Sequence, residues 1–189
     1  MELILDFAKR LLLNHLHEAG VYADFTMGNG YDTLFLAQHT KGTVYSFDIQ
    51  QTALEHTQAL LEEHRVQNAR LILDSHSHLT QYITEPLDAG IFNLGYLPGG
   101  DKSITTQTST TLQAVQDALA LLKSDGILVL VLYPGHPQGK QESEVVSWFC
   151  AELDGSAYDV IRYDFINKKN PPYVIAIEKR TAQKARTTL

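Results

Sequence analysis

The chain has 189 residues, of which 44% are hydrophobic and 20% charged, a composition typical of one globular domain. Its formal net charge of -7 argues against a protein that coats nucleic acid nonspecifically, although a local basic surface could still bind a folded RNA. The single cysteine, Cys150, excludes internal disulfides and cysteine-rich metal sites. No signal peptide or membrane span is predicted, so we expect a cytoplasmic protein without a membrane partner.

Helical and strand-like patterns alternate along the chain, which predicts an α/β fold. Apolar residues at helical spacing predict a first helix that begins at Leu3 and ends at Gly20. The apolar run from Ile127 to Leu132 is typical of a strand covered on both faces, and Asp125-Gly126 is expected to cap the helix before it. Other strands are predicted at residues 21–24, 43–48, 69–74, 87–92, 158–164 and 173–177, with helices at 32–38, 53–61, 112–122 and 144–153.

This order predicts a doubly wound Rossmann-like sheet whose last two strands form an antiparallel hairpin. Residues 1–180 are expected to form a single domain. The basic residues that follow Glu178 are interpreted as a frayed tail, with residues 181–189 flexible; they are Lys179, Arg180, Lys184 and Arg186.

Residues 24–33 lie between the first strand and its helix, where a doubly wound fold binds ligands. Gly28 and Gly30 lack a Cβ atom, so the backbone can turn with positive φ and approach a ligand at a helix N-terminus. Two glycines around Asn29 would also suit an ordinary tight turn. Asp48 favours the ligand site, because a carboxylate about 20 residues further along meets ribose hydroxyls in such folds.

Two nucleotide-like cofactors compete for this site. A nicotinamide fold prefers a third Gly or Ala where Thr33 stands, and it usually continues into a substrate domain that this chain is too short to hold. S-adenosylmethionine has no pyrophosphate and needs only the two-glycine approach and the ribose acid. The terminal hairpin also fits the seven-stranded class I methyltransferase topology, by fold analogy. We therefore favour S-adenosyl-L-methionine.

Four motifs in order resemble those of a family of small bacterial proteins named putative rRNA methylases. They are Asp24-Phe-Thr-Met-Gly-Asn-Gly-Tyr-Asp-Thr33, Phe47-Asp-Ile-Gln50, Asn93-Leu-Gly-Tyr-Leu-Pro-Gly-Gly-Asp101 and Tyr133-Pro-Gly-His136. The family includes the methyltransferase that completes 5-methylaminomethyl-2-thiouridine at the tRNA wobble position. The resemblance implies a class I methyltransferase fold, S-adenosylmethionine as cofactor and an RNA substrate.

The resemblance also implies which residues bind the cofactor. The glycine loop would hold the methionine part of the cofactor. The residues after the second strand would contact the ribose and adenine, and those after the third strand would contact the edge of the adenine. The expected contacts are Asp24, Thr26, Gly28, Asn29, Gly30, Asp32, Asp48, Ile49, Gln50, Ser75 and His76. Capping of the next helix is the simpler role for Asp32. His76 and His78 lack the partners of a recognisable zinc set, so we expect no metal.

The implied reaction is attack by an aliphatic amine on the sulfonium methyl group. Such an amine has a pKa of about 10, so it must lose a proton before it can react. Asn93 and Tyr96 can accept a hydrogen bond from it, and His136 can accept its proton. Leu94-Gly95 replaces the two prolines of the Asn-Pro-Pro-Tyr loop found in many N-methyltransferases, which favours an sp³ amine. Asn93 could instead close a turn, and His136 could have a plain loop role.

The RNA contacts are expected from residues around this edge of the sheet. Tyr96 or Tyr133 could stack on bases, and lysines in the nearby loops could meet an anticodon loop, although lysines are commonly just solvated. The predicted substrate contacts are Gly95, Pro98, Asp101, Tyr133, Lys168 and Lys169, with Lys102 and Lys140 also in such loops.

The leading hypothesis is a methyltransferase that N-methylates 5-aminomethyl-2-thiouridine at the tRNA wobble position. The alternatives are an rRNA or small-amine methyltransferase and a noncatalytic S-adenosylmethionine-binding protein. The size and basic tail are compatible with a homodimer.

Overall fold

The computed structural model describes residues 1–95 and 106–181. The helices are α1 (Ile4–Leu13), α2 (Tyr31–His39), α3 (Gln51–Glu63), α4 (Thr108–Leu121) and α5 (Pro137–Ala151), with a short 3₁₀-helix at His76–Gln81. The strands are β1 (Val21–Asp24), β2 (Thr43–Asp48), β3 (Ala69–Leu73), β4 (Leu87–Leu94), β5 (Leu122–Leu132), β6 (Tyr158–Tyr163) and β7 (Tyr173–Lys179). In this part of the chain, no helix is long and apolar enough to cross a membrane.

The strands form one seven-stranded sheet in the order β3-β2-β1-β4-β5-β7-β6. The first five strands run parallel, whereas β7 is antiparallel to both β5 and β6. This confirms the predicted Rossmann-like sheet with a C-terminal antiparallel hairpin. The order reverses between β1 and β4, and the crevice at the carboxyl ends of two such strands is where open α/β sheets bind ligands.

Helices cover both faces of the sheet and bury its apolar side chains. On one face, α1 and α2 pack through residues such as Leu12 and Leu36 against Tyr22 and Val129. On the other face, α4 and α5 pack over a layer in which Phe25 stacks on Phe92 with ring centroids 4.3 Å apart. Residues 127–132 are all buried, because β5 is covered on both faces as its apolar run predicted.

The first helix is shorter than predicted. It ends at Leu13 rather than Gly20, and the chain then turns back so that the Tyr22 hydroxyl bonds to the backbone of His17. The side chain of Tyr22 is fully buried, so this hydroxyl needs a partner in the protein. The fold therefore uses residues 14–20 as a connection to β1.

The predicted cap of α4 was also wrong. Asp125-Gly126 does not cap α4, because β5 already begins at Leu122, which pairs with Leu87 of β4. The register then shifts before Ile127 pairs, and Asp125 adopts a φ of 61° in the irregular stretch. The pairing of Leu122 with Leu87 therefore extends β5 through a sequence that locally favours a turn.

The helix α5 begins at Pro137, well before the predicted residue 144. Its proline lies in the first turn, where the missing N–H costs no hydrogen bond. At the other end of the domain, Lys179 belongs to β7 and its ammonium donates to the Leu122 carbonyl at 2.8 Å. The backbone N–H of Arg180 donates to Ala157 O. The predicted frayed tail thus begins too early, and residues 182–189 lie outside the described part.

We expect Leu12→Ala to lower the free energy of unfolding by about 2–5 kcal/mol, since Leu12 is 0% exposed between α1 and the sheet. Leu13→Ala is the matched control. Leu13 is 42% exposed, so its loss should stay below about 0.5 kcal/mol. Urea unfolding of both variants measures the difference, and equal losses would contradict the packing of α1.

Candidate functional site

A cavity of about 800 Å³ opens at the carboxyl edge of the sheet, where β1, β4 and β5 end. Its walls come from α1, the loop between β1 and α2, the ends of β4 and β5, and the turn before β7. This volume lies within the range of small-molecule sites. Eight residues predicted from the sequence line it: Thr26, Gly28, Asn29, Asp32, Asn93, Gly95, Tyr133 and His136.

The glycine loop has the backbone conformation that its sequence predicts. Gly28 and Gly30 have φ of 55° and 82°. A Cβ atom on Gly30 would lie 2.6 Å from Thr57 Oγ1, so only glycine fits between α2 and α3. The Asp48 carboxylate accepts the Gly28 N–H at 3.0 Å and the Gln50 N–H at 2.9 Å. Asp48 therefore braces the loop from β2.

Asp24 lies beneath this loop rather than on its surface. It is 0% exposed and accepts hydrogen bonds from Thr26 N at 3.1 Å and Thr33 Oγ1 at 2.7 Å. The Thr33 hydroxyl also bonds to Ser46 Oγ at 2.6 Å. Burial, followed by the nearby Asp32 carboxylate, raises the pKa of Asp24 to about 7. Since its carboxylate has no exposed surface, Asp24 supports the loop instead of contacting a ligand.

The cavity wall holds a polar cluster formed by Asp32, Asn93 and Tyr133. Asn93 Nδ2 donates to Asp32 Oδ2 at 2.7 Å, and the Tyr133 hydroxyl donates to Asn93 Oδ1 at 3.3 Å. Burial, and then the Asp32 charge, raises the pKa of Tyr133 to about 12, so its hydroxyl keeps its proton at neutral pH. Asn93 N also donates to Thr26 Oγ1 at 2.7 Å, which ties β4 to the glycine loop.

His136 is part of the wall, and its ring is also the N-cap of α5. Its Nδ1 accepts the Gly139 N–H at 3.0 Å, so the neutral ring carries its proton on Nε2. A proton could reach Nδ1 only if this cap were broken. The arrangement therefore favours a donor and structural role for His136 over the predicted proton acceptor.

Two functional candidates were missed by sequence reasoning. Lys9 of α1 lines the cavity, and its ammonium lies 3.5 Å from Asp32 Oδ1. Leu5, one turn earlier, lines it as well. Leu5 and Lys9 are four residues apart, so the sequence does indicate that they lie on the same face of α1. It does not indicate that this face borders the cavity.

The second missed residue is Glu142 of α5, which is 2% exposed. Its carboxylate accepts hydrogen bonds from Thr106 Oγ1 at 2.5 Å and Thr111 Oγ1 at 2.7 Å. Thr106 N also donates to Gly95 O at 2.9 Å. Burial raises the pKa of Glu142, while both hydroxyls and His136 lower it. Glu142 thus fastens the base of the β4–α4 connection to α5.

The remaining predicted residues lie around the cavity or away from it. Ile49 is 61% exposed beside Asp48. Ser75 caps the 3₁₀-helix, and His76 Nδ1 lies 3.0 Å from Phe25 O, while burial lowers the pKa of His76. The predicted residues that do not line the cavity are Asp24, Gly30, Asp48, Ile49, Gln50, Ser75, His76, Lys168 and Lys169. Tyr96, Pro98, Asp101 and Lys102 lie outside the described residues.

Within residues 1–95 and 106–181, no cluster of three or more His, Cys, Asp or Glu side chains could hold a metal ion. The polar groups at this edge of the sheet include the Asp32 carboxylate, the Asn93 amide and the Tyr133 hydroxyl. Such a set suits a cationic or hydrogen-bond-donating ligand.

We expect Asp24 to lower the free energy of unfolding as the pH rises from about 4 to about 7. Its pKa is about 7 in the folded protein and 3.8 ordinarily, so the folded state retains a proton that the unfolded chain has lost. Asp24→Asn should flatten this fall by about 1 kcal/mol per pH unit. Urea unfolding across this pH range measures the slope. The exposed Glu55→Gln is the control, and parallel profiles for wild type and Asp24→Asn would contradict the prediction.

Comparison with known proteins supports the fold and identifies the family. The family model described as "Putative rRNA methylase" matches residues 44–178. A "tRNA (mnm(5)s(2)U34)-methyltransferase, chloroplastic" of Arabidopsis thaliana is 36% identical over 170 residues, which are 83% of this chain and 62% of that protein. The chain therefore matches less than two thirds of the length of this relative.

Two solved structures are similar along nearly the whole chain. A putative rRNA-methylase from Clostridium thermocellum is 39% identical with a TM-score of 0.93, covering 95% of this chain and 98% of that one. A putative methyltransferase from Streptococcus mutans, solved in complex with SAH, is 38% identical with a TM-score of 0.89, covering 95% and 99%. The sheet has the class I methyltransferase topology, and the chain belongs to the putative rRNA methylase family.

Proposed function

We propose that this protein is an S-adenosylmethionine-dependent methyltransferase that N-methylates the aminomethyl group of 5-aminomethyl-2-thiouridine at the tRNA wobble position. The observation that carries the proposal is the cluster of Asp32, Asn93 and Tyr133 in the cavity beside the glycine loop. The tRNA wobble methyltransferase of Arabidopsis thaliana, 36% identical, supports the choice of substrate.

The cofactor assignment is supported by the loop geometry and by the SAH complex of the relative from Streptococcus mutans. The Gly28 and Gly30 backbone lets the methionine part lie close to the N-terminus of α2. Asp48, whose position is fixed by two backbone N–H groups, can accept ribose hydroxyls. The exposed Ile49 side chain gives the adenine ring an apolar surface.

The amine chemistry suits the polar cluster. An alkylammonium group, with a pKa of about 10, is attracted by the Asp32 carboxylate, whose side chain is only 16% exposed. The same carboxylate can accept the proton that the nitrogen must lose, aided by the sulfonium charge and by desolvation. The Asn93 carbonyl oxygen can then accept a remaining N–H and orient the lone pair towards the methyl group.

The transfer itself is an in-line displacement. The nitrogen–carbon bond forms while the sulfur–carbon bond breaks, and S-adenosylhomocysteine leaves with the electron pair of that bond. The product is a secondary ammonium that keeps its remaining protons at neutral pH, and the proton accepted by Asp32 passes to solvent. The chain contributes mainly by positioning, since a methyl sulfonium is already a reactive donor. We assign His136 to the wall, because its Nδ1 already caps α5.

We expect Asp32→Asn to lower kcat/KM for tRNA methylation by at least about tenfold, as loss of a hydrogen bond to a charged group costs about 1.5–3 kcal/mol. Nucleoside mass spectrometry of tRNA that carries 5-aminomethyl-2-thiouridine, incubated with protein and S-adenosylmethionine, measures the product. Glu55→Gln, which also converts a carboxylate to an amide but at an exposed position of α3, is the matched control.

The same assay tests the function as a whole. Formation of 5-methylaminomethyl-2-thiouridine by the wild-type protein is the expected outcome. Transfer only to rRNA or to a small amine would replace the proposed substrate, and cofactor binding without transfer to any of these would show that the protein is not the enzyme proposed.

We expect Gly30→Ala to weaken S-adenosylmethionine binding at least about tenfold, because the loop must shift when a Cβ atom meets Thr57 and φ is positive. Gly155→Ala is the matched control, since a Cβ atom there meets nothing within 4 Å. Calorimetry gives both affinities, and thermal unfolding shows whether each variant is folded. Equal affinities would place the cofactor away from this loop.

A further inference from the structure

A second depression, here called the groove, has a volume of about 480 Å³ and adjoins the cavity. It lies between α5 and the turn that joins β6 to β7. Asn170 lines both spaces, so the turn forms a wall between them. The side chains that matter most in the groove are Lys140, Arg162, Asp164, Phe165, Lys168 and Tyr173.

Arg162 forms a flat cationic surface in this groove. Its guanidinium carbon lies 3.9 Å from the centroid of the Tyr173 ring, and its Nη2 donates to Asp164 Oδ2 at 2.6 Å. The Tyr173 ring is itself fixed, since it is 5% exposed and its hydroxyl bonds to Ser147 Oγ at 2.8 Å. Half of the Arg162 side chain nevertheless remains exposed, at 50%. The guanidinium is thus held on one side and accessible from the other.

The charge of the groove differs from that of the whole protein. Three cationic side chains and two carboxylates line it, whereas the whole chain has a net charge of -7. Lys168 lies 5.0 Å from the centroid of the Phe165 ring, so a second cation is also backed by an aromatic side chain. A local excess of positive charge, together with an exposed guanidinium backed by an aromatic ring, is suited to an RNA strand.

We propose that the groove binds the nucleotide next to the methylated one, with its base stacked on the Arg162 guanidinium and its phosphate near Lys140 and Lys168. This inference rests on the proposed function, which places the substrate nucleotide in the adjoining cavity. Proteins that recognise single-stranded RNA loops stack splayed bases on aromatic rings or on guanidinium planes. The Tyr173 ring restrains Arg162 before the RNA arrives, which reduces the entropy lost on binding.

The experiment measures binding of a fluorescein-labelled RNA hairpin with the anticodon-loop sequence, by fluorescence anisotropy. Arg162→Ala should weaken binding about tenfold, as expected for loss of one stacked base. Arg162→Lys retains the charge but loses the planar group, so it should weaken binding almost as much. Affinity for S-adenosylmethionine should stay at the wild-type value in both variants.

The chain offers a matched control at the opposite edge of the sheet. Arg70 of β3 also lies over a tyrosine, with its guanidinium carbon 5.2 Å from the Tyr45 ring centroid, and it is exposed. Arg70→Ala and Arg70→Lys should leave RNA affinity unchanged. Thermal unfolding of all four variants separates loss of binding from loss of folding, and Arg162→Lys preserves a long side chain over Tyr173.

Several outcomes would overturn the inference. Wild-type affinity of Arg162→Lys would show that charge alone acts there, and wild-type affinity of Arg162→Ala with intact tRNA methylation would exclude the groove while leaving the proposed function standing. A wild-type protein that neither binds the hairpin nor methylates tRNA would reject both proposals. An equal loss of RNA affinity in the Arg70 variants would show that binding depends on general surface charge and not on the groove.

Discussion

The buried carboxyl group of Asp24 is the constraint on which the candidate site depends. It ends β1 without any exposed surface and ties the chain to Thr26 and Thr33, while Thr33 continues the contact to Ser46 of β2. With Asp48 holding Gly28 from the same strand, the loop is supported from below and from the side. Its backbone is therefore shaped before a ligand arrives, so little binding energy is needed to order it.

The polar cluster extends this support across the sheet. The hydrogen bond from Asn93 to Asp32 joins two segments far apart in sequence, which meet because β1 and β4 are neighbours where the strand order reverses. Asp32 is a residue of the first turn of α2, so the helix that begins at the glycine loop also presents a carboxylate to the cavity. In the proposed reaction, the glycine loop and the first turn of α2 thus position both the methyl donor and the nitrogen that accepts the methyl group.

Sequence reasoning succeeded where the pattern is local and failed where distant residues meet. The alternation of strands and helices, the glycine loop and the apolar β5 predicted the sheet and the edge at which the cavity lies. The sequence could not show that Asp24 is buried. The residues around an aspartate at the end of a strand look the same whether its side chain supports the loop from below or faces the cavity. The sequence did not single out Lys9 and Glu142, because their partners Asp32 and Thr111 are more than 20 residues away along the chain.

The turn before β7 links the shapes of the cavity and the groove. Asn170 has a φ of 47°, an uncommon conformation for a residue other than glycine, and it faces the cavity on one side and the groove on the other. A substitution that reshapes this turn alters both spaces at once. Under the proposed function, the shape of the amine site and the shape of the RNA groove therefore cannot be altered independently through this turn.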